Sequence, residues 1–157
     1  MKLDDIDWHD GSLKKGQPQE YAGTHISVFI RWLVVRNLIN PEVEFDTSAV
    51  NALKKGKMTG YAFLEQECDG KIFDDFALPE VQGFLRSYYS TKPVKGWTTY
   101  FIDADATIIG SERMYKIGEK DVDIKQAFKL LDQRLEEWKA IYSKNINKSL
   151  LDRLLKR

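Results

Sequence analysis

Residues 24–39, THISVFIRWLVVRNLI, constrain this fold more than any other stretch of the chain. Wound at about 100° per residue, the run puts Ile26, Phe29, Ile30 and Leu33 on one flank and Val28, Trp32, Val35 and Ile39 on another. Only Thr24, Ser27 and Arg31 make a narrow polar strip. A helix apolar nearly all round is one that other elements cover from several sides, so the run predicts a central buried helix. Thr24 or an adjacent residue is the expected N-cap. Asn40-Pro41 is the expected stop, because proline disfavours helical backbone in the residue before it. From Ile26 the run is short of the roughly 20 apolar residues that span a bilayer, and it carries Arg31 and Arg36. It therefore reads as a core helix, and no membrane partner is expected.

The 157 residues suit one domain able to bury about two thirds of its unfolded surface. Twenty-four basic side chains balance 24 acidic ones, a sum that argues against nucleic acid as the main partner. Cys68 is the only cysteine, which excludes an intrachain disulfide and a multi-cysteine zinc site and suits a reducing cytoplasm. The acidic start, MKLDD, has no apolar stretch of the signal-peptide kind.

Along the chain, the first 20 residues read as an irregular arm anchored by Ile6 and Trp8. Asp46-Thr47-Ser48 signals the start of a short helix ending at Lys54-Lys55-Gly56. Thr59 to Glu67 reads as a third helix stopped by Asp69-Gly70, and Leu78-Pro79-Glu80 opens a fourth through Val81, Phe84, Leu85 and Tyr88. Residues 72–76 read as a loop or short extended piece. Pro93 and Gly96 punctuate the approach to Trp97-Thr98-Thr99-Tyr100-Phe101-Ile102, whose β-branched and aromatic content predicts a strand. With Thr107-Ile108-Ile109 and Met114-Tyr115-Lys116-Ile117 it would form a small β-element between about residues 97 and 117. Ile124, Phe128, Leu131, Leu135, Trp138 and Tyr142 predict a long amphipathic helix. The fold class is thus α+β, mainly α.

His9 and His25 are the only histidines. If the arm folds over the start of the central helix, these imidazoles and the neighbouring aspartates converge on a metal or acid–base site. Zinc needs a third protein ligand, and no two-histidine helical motif fixes the spacing, so no metal and no cofactor is expected. On the bland reading His25 satisfies a buried hydrogen bond and His9 tethers the arm. Trp8, His9, His25 and Trp32 are the candidate binding residues, and Asp4, Asp5, Asp7 and Asp10 a candidate acidic patch. Asp103-Ala104-Asp105 and Asp74-Asp75 read as solvated turns, since the glycine-bearing calcium-loop pattern is absent. Cys68, among Glu65, Glu67 and Asp69, lacks the basic neighbours that make a thiol reactive. The common phosphate-loop, dinucleotide and nucleophile-elbow motifs are absent, so no catalytic residue is assigned.

Charge is uneven along the chain. Residues 1–12 carry a net −3, and residues 144–157 a net +4. The latter read as a basic amphipathic extension to a globular domain over residues 1–143. Leu150, Leu151, Leu154 and Leu155 within it offer self-association through residues 146–155.

Asp4-Asp5 to Trp8-His9, Thr24-His25-Ile26 with Phe29 and Trp32, Thr59-Gly60, Phe63-Leu64, Cys68-Asp69-Gly70, Phe84 with Tyr88-Tyr89, and Leu135 to Trp138-Lys139 together resemble a bacterial family of unknown function. The pattern is D-D…W-H…T-H-I-x-x-F-x-x-W, over about residues 4–140. Relatives of this kind look like candidate immunity proteins of toxin systems, which implies a non-enzymatic, cytoplasmic protein that neutralises a cognate toxin by covering its active site. The chain departs from the family pattern at Ala104, where a second aromatic is usual, and in the segment after Ser143. Two other classes stay open: a small metal-dependent or acid–base enzyme using His9 and His25, and a self-associating scaffold built on the tail.

Overall fold

A computed structural model describes residues 1–91 and 97–154, with side chains described through Tyr142. The elements are β1 (Lys2–Asp5), a 3-10 segment (Ile6–Ser12), α1 (Glu20–Val35), α2 (Thr47–Lys54), α3 (Gly60–Cys68), β2 (Lys71–Phe73), α4 (Pro79–Tyr88), α5 (Tyr100–Asp103) and α6 (Ile124–Leu154). The fold is α+β and mainly helical, with one two-stranded antiparallel sheet. Among the described residues no helix is long and apolar enough to cross a membrane.

Helix α1 is the central post: every residue from Ala22 to Ile30 is buried, and Trp32, Leu33 and Val34 again. Its polar strip has a covering of its own. The Thr24 hydroxyl donates to the Ile117 carbonyl at 2.7 Å, and Arg31 pairs with the buried Glu119 at 2.6 Å. Glu119 also accepts the Tyr61 N–H at 2.9 Å, so one carboxylate ties α1 to the start of α3.

Both ends of α1 differ from expectation. It begins at Glu20, four residues before Thr24, whose hydroxyl serves the Ile117 segment instead of capping. It stops well before Pro41, because Asn37 takes a left-handed φ of 57°. Leu38 N–H then bonds the Leu33 carbonyl and Asn37 N–H the Val34 carbonyl, a Schellman end that satisfies carbonyls the helix leaves open.

The short helices follow their caps. Asp46 accepts from Ser48 N–H and Ala49 N–H at the start of α2, and Thr59 accepts from Ala62 N–H at the start of α3. Left-handed Asp69 and Gly70 close α3, and Pro79 opens α4. In α6, Ala127, Phe128, Leu131 and Leu135 are buried and Trp138 half-buried, whereas Tyr142 is exposed and stacks on Trp138. The α6 backbone runs unbroken through residues 143–145.

The sheet lies elsewhere than expected. Strands β1 and β2 come from the arm and from the Ile72 piece, paired Asp4 to Ile72 and Asp5 to Lys71. Residues 97–117 hold no strand among the described residues: Thr99 caps α5, which passes into a π-turn over Ala104–Ile108. From Tyr100 to Ala104 the buried positions are Tyr100, Asp103 and Ala104, a helical spacing, and burial of Asp103 against Tyr88 and Arg134 overrides the β propensity of the run. Pro93 and Gly96 lie outside the described residues.

Candidate functional site

Three elements bring the site together. Ile6 is buried on α1 opposite Gly23, where a Cβ would lie only 3.0 Å from the Ile6 Cδ1, so glycine lets the arm sit close. Strand β1 then carries Asp4, the 3-10 segment carries His9, and the first half of α1 carries His25. The His9 and His25 rings meet edge to face with centroids 4.5 Å apart.

Asp4 is the hub. Its Oδ1 accepts His9 Nε2–H at 2.7 Å and the Asp5 N–H at 2.9 Å, while Oδ2 faces His25 Nε2 at 3.3 Å. That last approach is not aligned as a hydrogen bond, which leaves His25 Nε2 without a partner although the residue is only 2% exposed. His9 Nδ1 lies 3.0 Å from the Tyr115 hydroxyl. With Nε2–H given to Asp4, Nδ1 accepts from that hydroxyl. Tyr115 itself holds a left-handed φ of 59°, strained for a bulky residue. The Tyr100 hydroxyl donates to the His25 carbonyl at 2.5 Å, fixing the helix beneath the cluster.

Burial works to raise the Asp4 carboxyl, but the adjacent His25 and His9 imidazoles outweigh it and hold the group well below the usual carboxylate range. Burial lowers His25, against the pull of Asp4. Burial and the nearby Asp4 charge raise the Tyr115 phenol. An ionised carboxylate thus faces two imidazoles in a largely dry setting.

A cleft of about 400 Å³ opens over the cluster, lined by Leu3, Asp4, Trp8, His9, His25, Tyr89, Tyr100, Phe101 and Ile102 among others. Three large apolar side chains around it stay in solvent: Trp8 is 58% exposed, Phe101 50% and Ile102 51%. Trp8 does not anchor the arm, and Lys2 Nζ sits over its ring at 4.5 Å.

The other candidates fall apart from this group. Trp32 is fully buried and donates its indole N–H to Asp132 at 2.8 Å. Asp5 is buried, pairs with Lys2 at 2.6 Å and caps the 3-10 segment through Asp7 N–H. Asp7 and Asp10 are exposed, and Asp10 accepts from the Gln19 amide. Asp4, Asp5, Asp7 and Asp10 therefore do not form one outward acidic patch. Asp74 pairs with Arg86 at 2.7 Å, and Asp103 is held by Tyr88 and Arg134, so neither sits in a solvated turn. Cys68 is buried, its thiol pushed up to about 12 by burial and by Glu67. Sequence reasoning missed Tyr115, Tyr100, Phe101 and Ile102. The adjacency of exposed-type apolar residues at 101 and 102 was a signal, obscured by the strand reading.

This is a mainly helical α+β domain whose N-terminal strand closes a two-histidine, one-carboxylate cluster beneath an aromatic cleft. A family model described as a domain of unknown function, DUF7832, matches residues 2–117, and the chain belongs to that family. Asp4, His9, His25 and Tyr115 all fall inside the match. No curated protein and no solved structure matches the chain.

Proposed function

We propose that this chain is a binding protein that receives a partner protein at the cleft over Asp4, His9 and His25. The observation that carries the reading is the set of half-exposed Trp8, Phe101 and Ile102 around one concavity, since apolar groups gathered at a surface cleft mark contact sites. Tryptophan and phenylalanine at such a rim are the residue types that anchor protein interfaces. The cleft has room for one or two apolar side chains of the partner.

The resemblance to candidate immunity proteins supports a finer reading, in which the partner is a bacterial toxin neutralised in the cytoplasm by direct binding. Co-expression with toxins encoded beside the gene tests it. Growth should be rescued and a complex should co-purify, and Trp8→Ala with Phe101→Ala should abolish both while the protein stays folded. Persistent toxicity with no complex for any neighbouring toxin rejects the reading. Self-association through residues 146–155 rests on side chains outside those described.

A second reading, an acid–base enzyme, is favoured by the hydrogen-bonded Tyr115–His9–Asp4 chain with the unpartnered ring nitrogen of His25 beside it. It requires turnover of an ester or phosphodiester substrate that His9→Gln removes. Turnover that survives in that variant counts against it.

A further inference from the structure

We propose that Asp4, His9 and His25 form a mononuclear site for a divalent transition-metal ion of the zinc type, open toward the cleft. One ligand atom from each residue lies within 4.8 Å of the others. The set comprises two imidazole nitrogens and one carboxylate oxygen, the composition of open catalytic-type zinc sites that keep a further position for water or a substrate. Bonds of about 2.0–2.1 Å to a tetrahedral ion place donor atoms about 3.4 Å apart. The His25 Nε2 to Asp4 Oδ2 separation is already 3.3 Å, and the His9 Nε2 to Asp4 Oδ1 separation, at 2.7 Å, would widen by about 0.7 Å to match.

Two observations separate this site from a cluster that merely holds the arm in place. The first is the unpartnered Nε2 of His25: a buried ring nitrogen aimed at a carboxylate yet aligned with no donor or acceptor is costly unless something else takes it. A metal ion uses that lone pair. The second is Tyr115, whose strained backbone puts its hydroxyl 3.0 Å from His9 Nδ1. When the ion takes His9 Nε2, the ring proton sits on Nδ1 and donates to the Tyr115 oxygen, the outer hydrogen bond that orients metal-bound imidazoles. Strand β1, the 3-10 segment and α1 each give one ligand, so the ion would clip the arm to the central helix. The same cleft that His9 and His25 line, with Trp8 and Phe101 among its walls, would give water or a substrate access to the ion.

The test uses the full chain, stripped with a chelator and titrated with Zn²⁺ and with Co²⁺ as a spectroscopic probe. One equivalent of Co²⁺ should bind and give the visible absorption of a low-symmetry nitrogen and oxygen site. Zn²⁺ in hundredfold excess over its dissociation constant should raise the unfolding midpoint by about 5–10 °C. His9→Gln, at a half-buried position, should abolish both signals. Tyr115→Phe should weaken binding by about tenfold or more, and Asp7→Asn, on the exposed side of the arm, should leave it unchanged. Absence of stoichiometric binding, or binding that persists in a folded His9→Gln variant, overturns the site. Neither result bears on the partner protein, whose capture is read separately through Trp8 and Phe101.

Discussion

His9 and His25 meet edge to face over a single carboxylate, one from an arm and the other from the central helix, with ring centroids 4.5 Å apart. The carboxylate is Asp4, buried and ionised, and its partners are His9, His25 and the Asp5 amide. Removing it leaves the half-buried His9 Nε2–H and the buried Asp5 amide without acceptors. Asp4→Ala should therefore cost about 3 kcal/mol in the metal-free protein, measured by urea unfolding at neutral pH. A loss within experimental error would mean that Ile6 and the β1–β2 pairing hold the arm without help from the carboxylate.

Gly60 starts α3 where that helix touches α1. A Cβ there would collide with the Ser27 carbonyl oxygen and press on the Glu119 carboxylate and the Arg31 Cβ. Backbone cannot give way cheaply. Gly60→Ala should destabilise the chain by about 2–3 kcal/mol despite the better helix propensity of alanine, and a thermal midpoint equal to or above that of the parent would show that α1 and α3 are less tightly apposed.

Asp103 is buried between α4 and α6, accepting the Tyr88 hydroxyl at 2.6 Å and a forked contact from Arg134 at 2.7 and 3.1 Å. The two partners are not equivalent. Tyr88→Phe removes a neutral donor and should cost about 1 kcal/mol, whereas Arg134→Met strands a buried charge and should cost about 3–5 kcal/mol. A double-mutant cycle should show coupling, since both groups serve the same carboxylate. Strictly additive losses would argue against a shared acceptor.

The central helix and most helix starts were legible because each rests on local chemistry: the all-round apolar run at residues 24–39, the side-chain oxygens of Asp46 and Thr59, the ring of Pro79. What misled were elements decided by distant partners. Trp97 to Ile102 has strand propensity, yet Asp103 is drawn onto Tyr88 and Arg134, and helical spacing wins. Strand β1 is acidic and reads as an arm, because nothing local announces that it pairs with Lys71–Phe73. The cluster was half legible. His9 and His25 stood out as the only histidines, but Asp4 could be picked from four nearby aspartates only by the register of β1. Tyr115 could be placed only by the turn after Gly110.

Asp132 ties α6 to the end of α1, accepting the buried Trp32 indole N–H at 2.8 Å and the Arg36 guanidinium at 2.7–3.1 Å. Burial works to raise its carboxyl, but the hydrogen bonds from Arg36 and Trp32 and the Arg36 charge prevail, and the folded value lies below the ordinary one. The stabilisation is therefore fully present above the unfolded value of about 3.9 and is lost as the pH falls through the folded value. Asp132→Asn keeps an acceptor for Trp32 but gives up the charge and puts an amide N–H donor where Oδ2 accepts from Arg36. The parent should be the more stable at about pH 7, by no more than about 1 kcal/mol because the pair is partly in solvent, and the gap should close toward about pH 3. Added salt should narrow the neutral-pH gap as well, since exposed charges are screened. Urea unfolding of both proteins at the two pH values decides it: a gap that stays constant, or widens in acid, would place the pair's contribution in packing instead of charge.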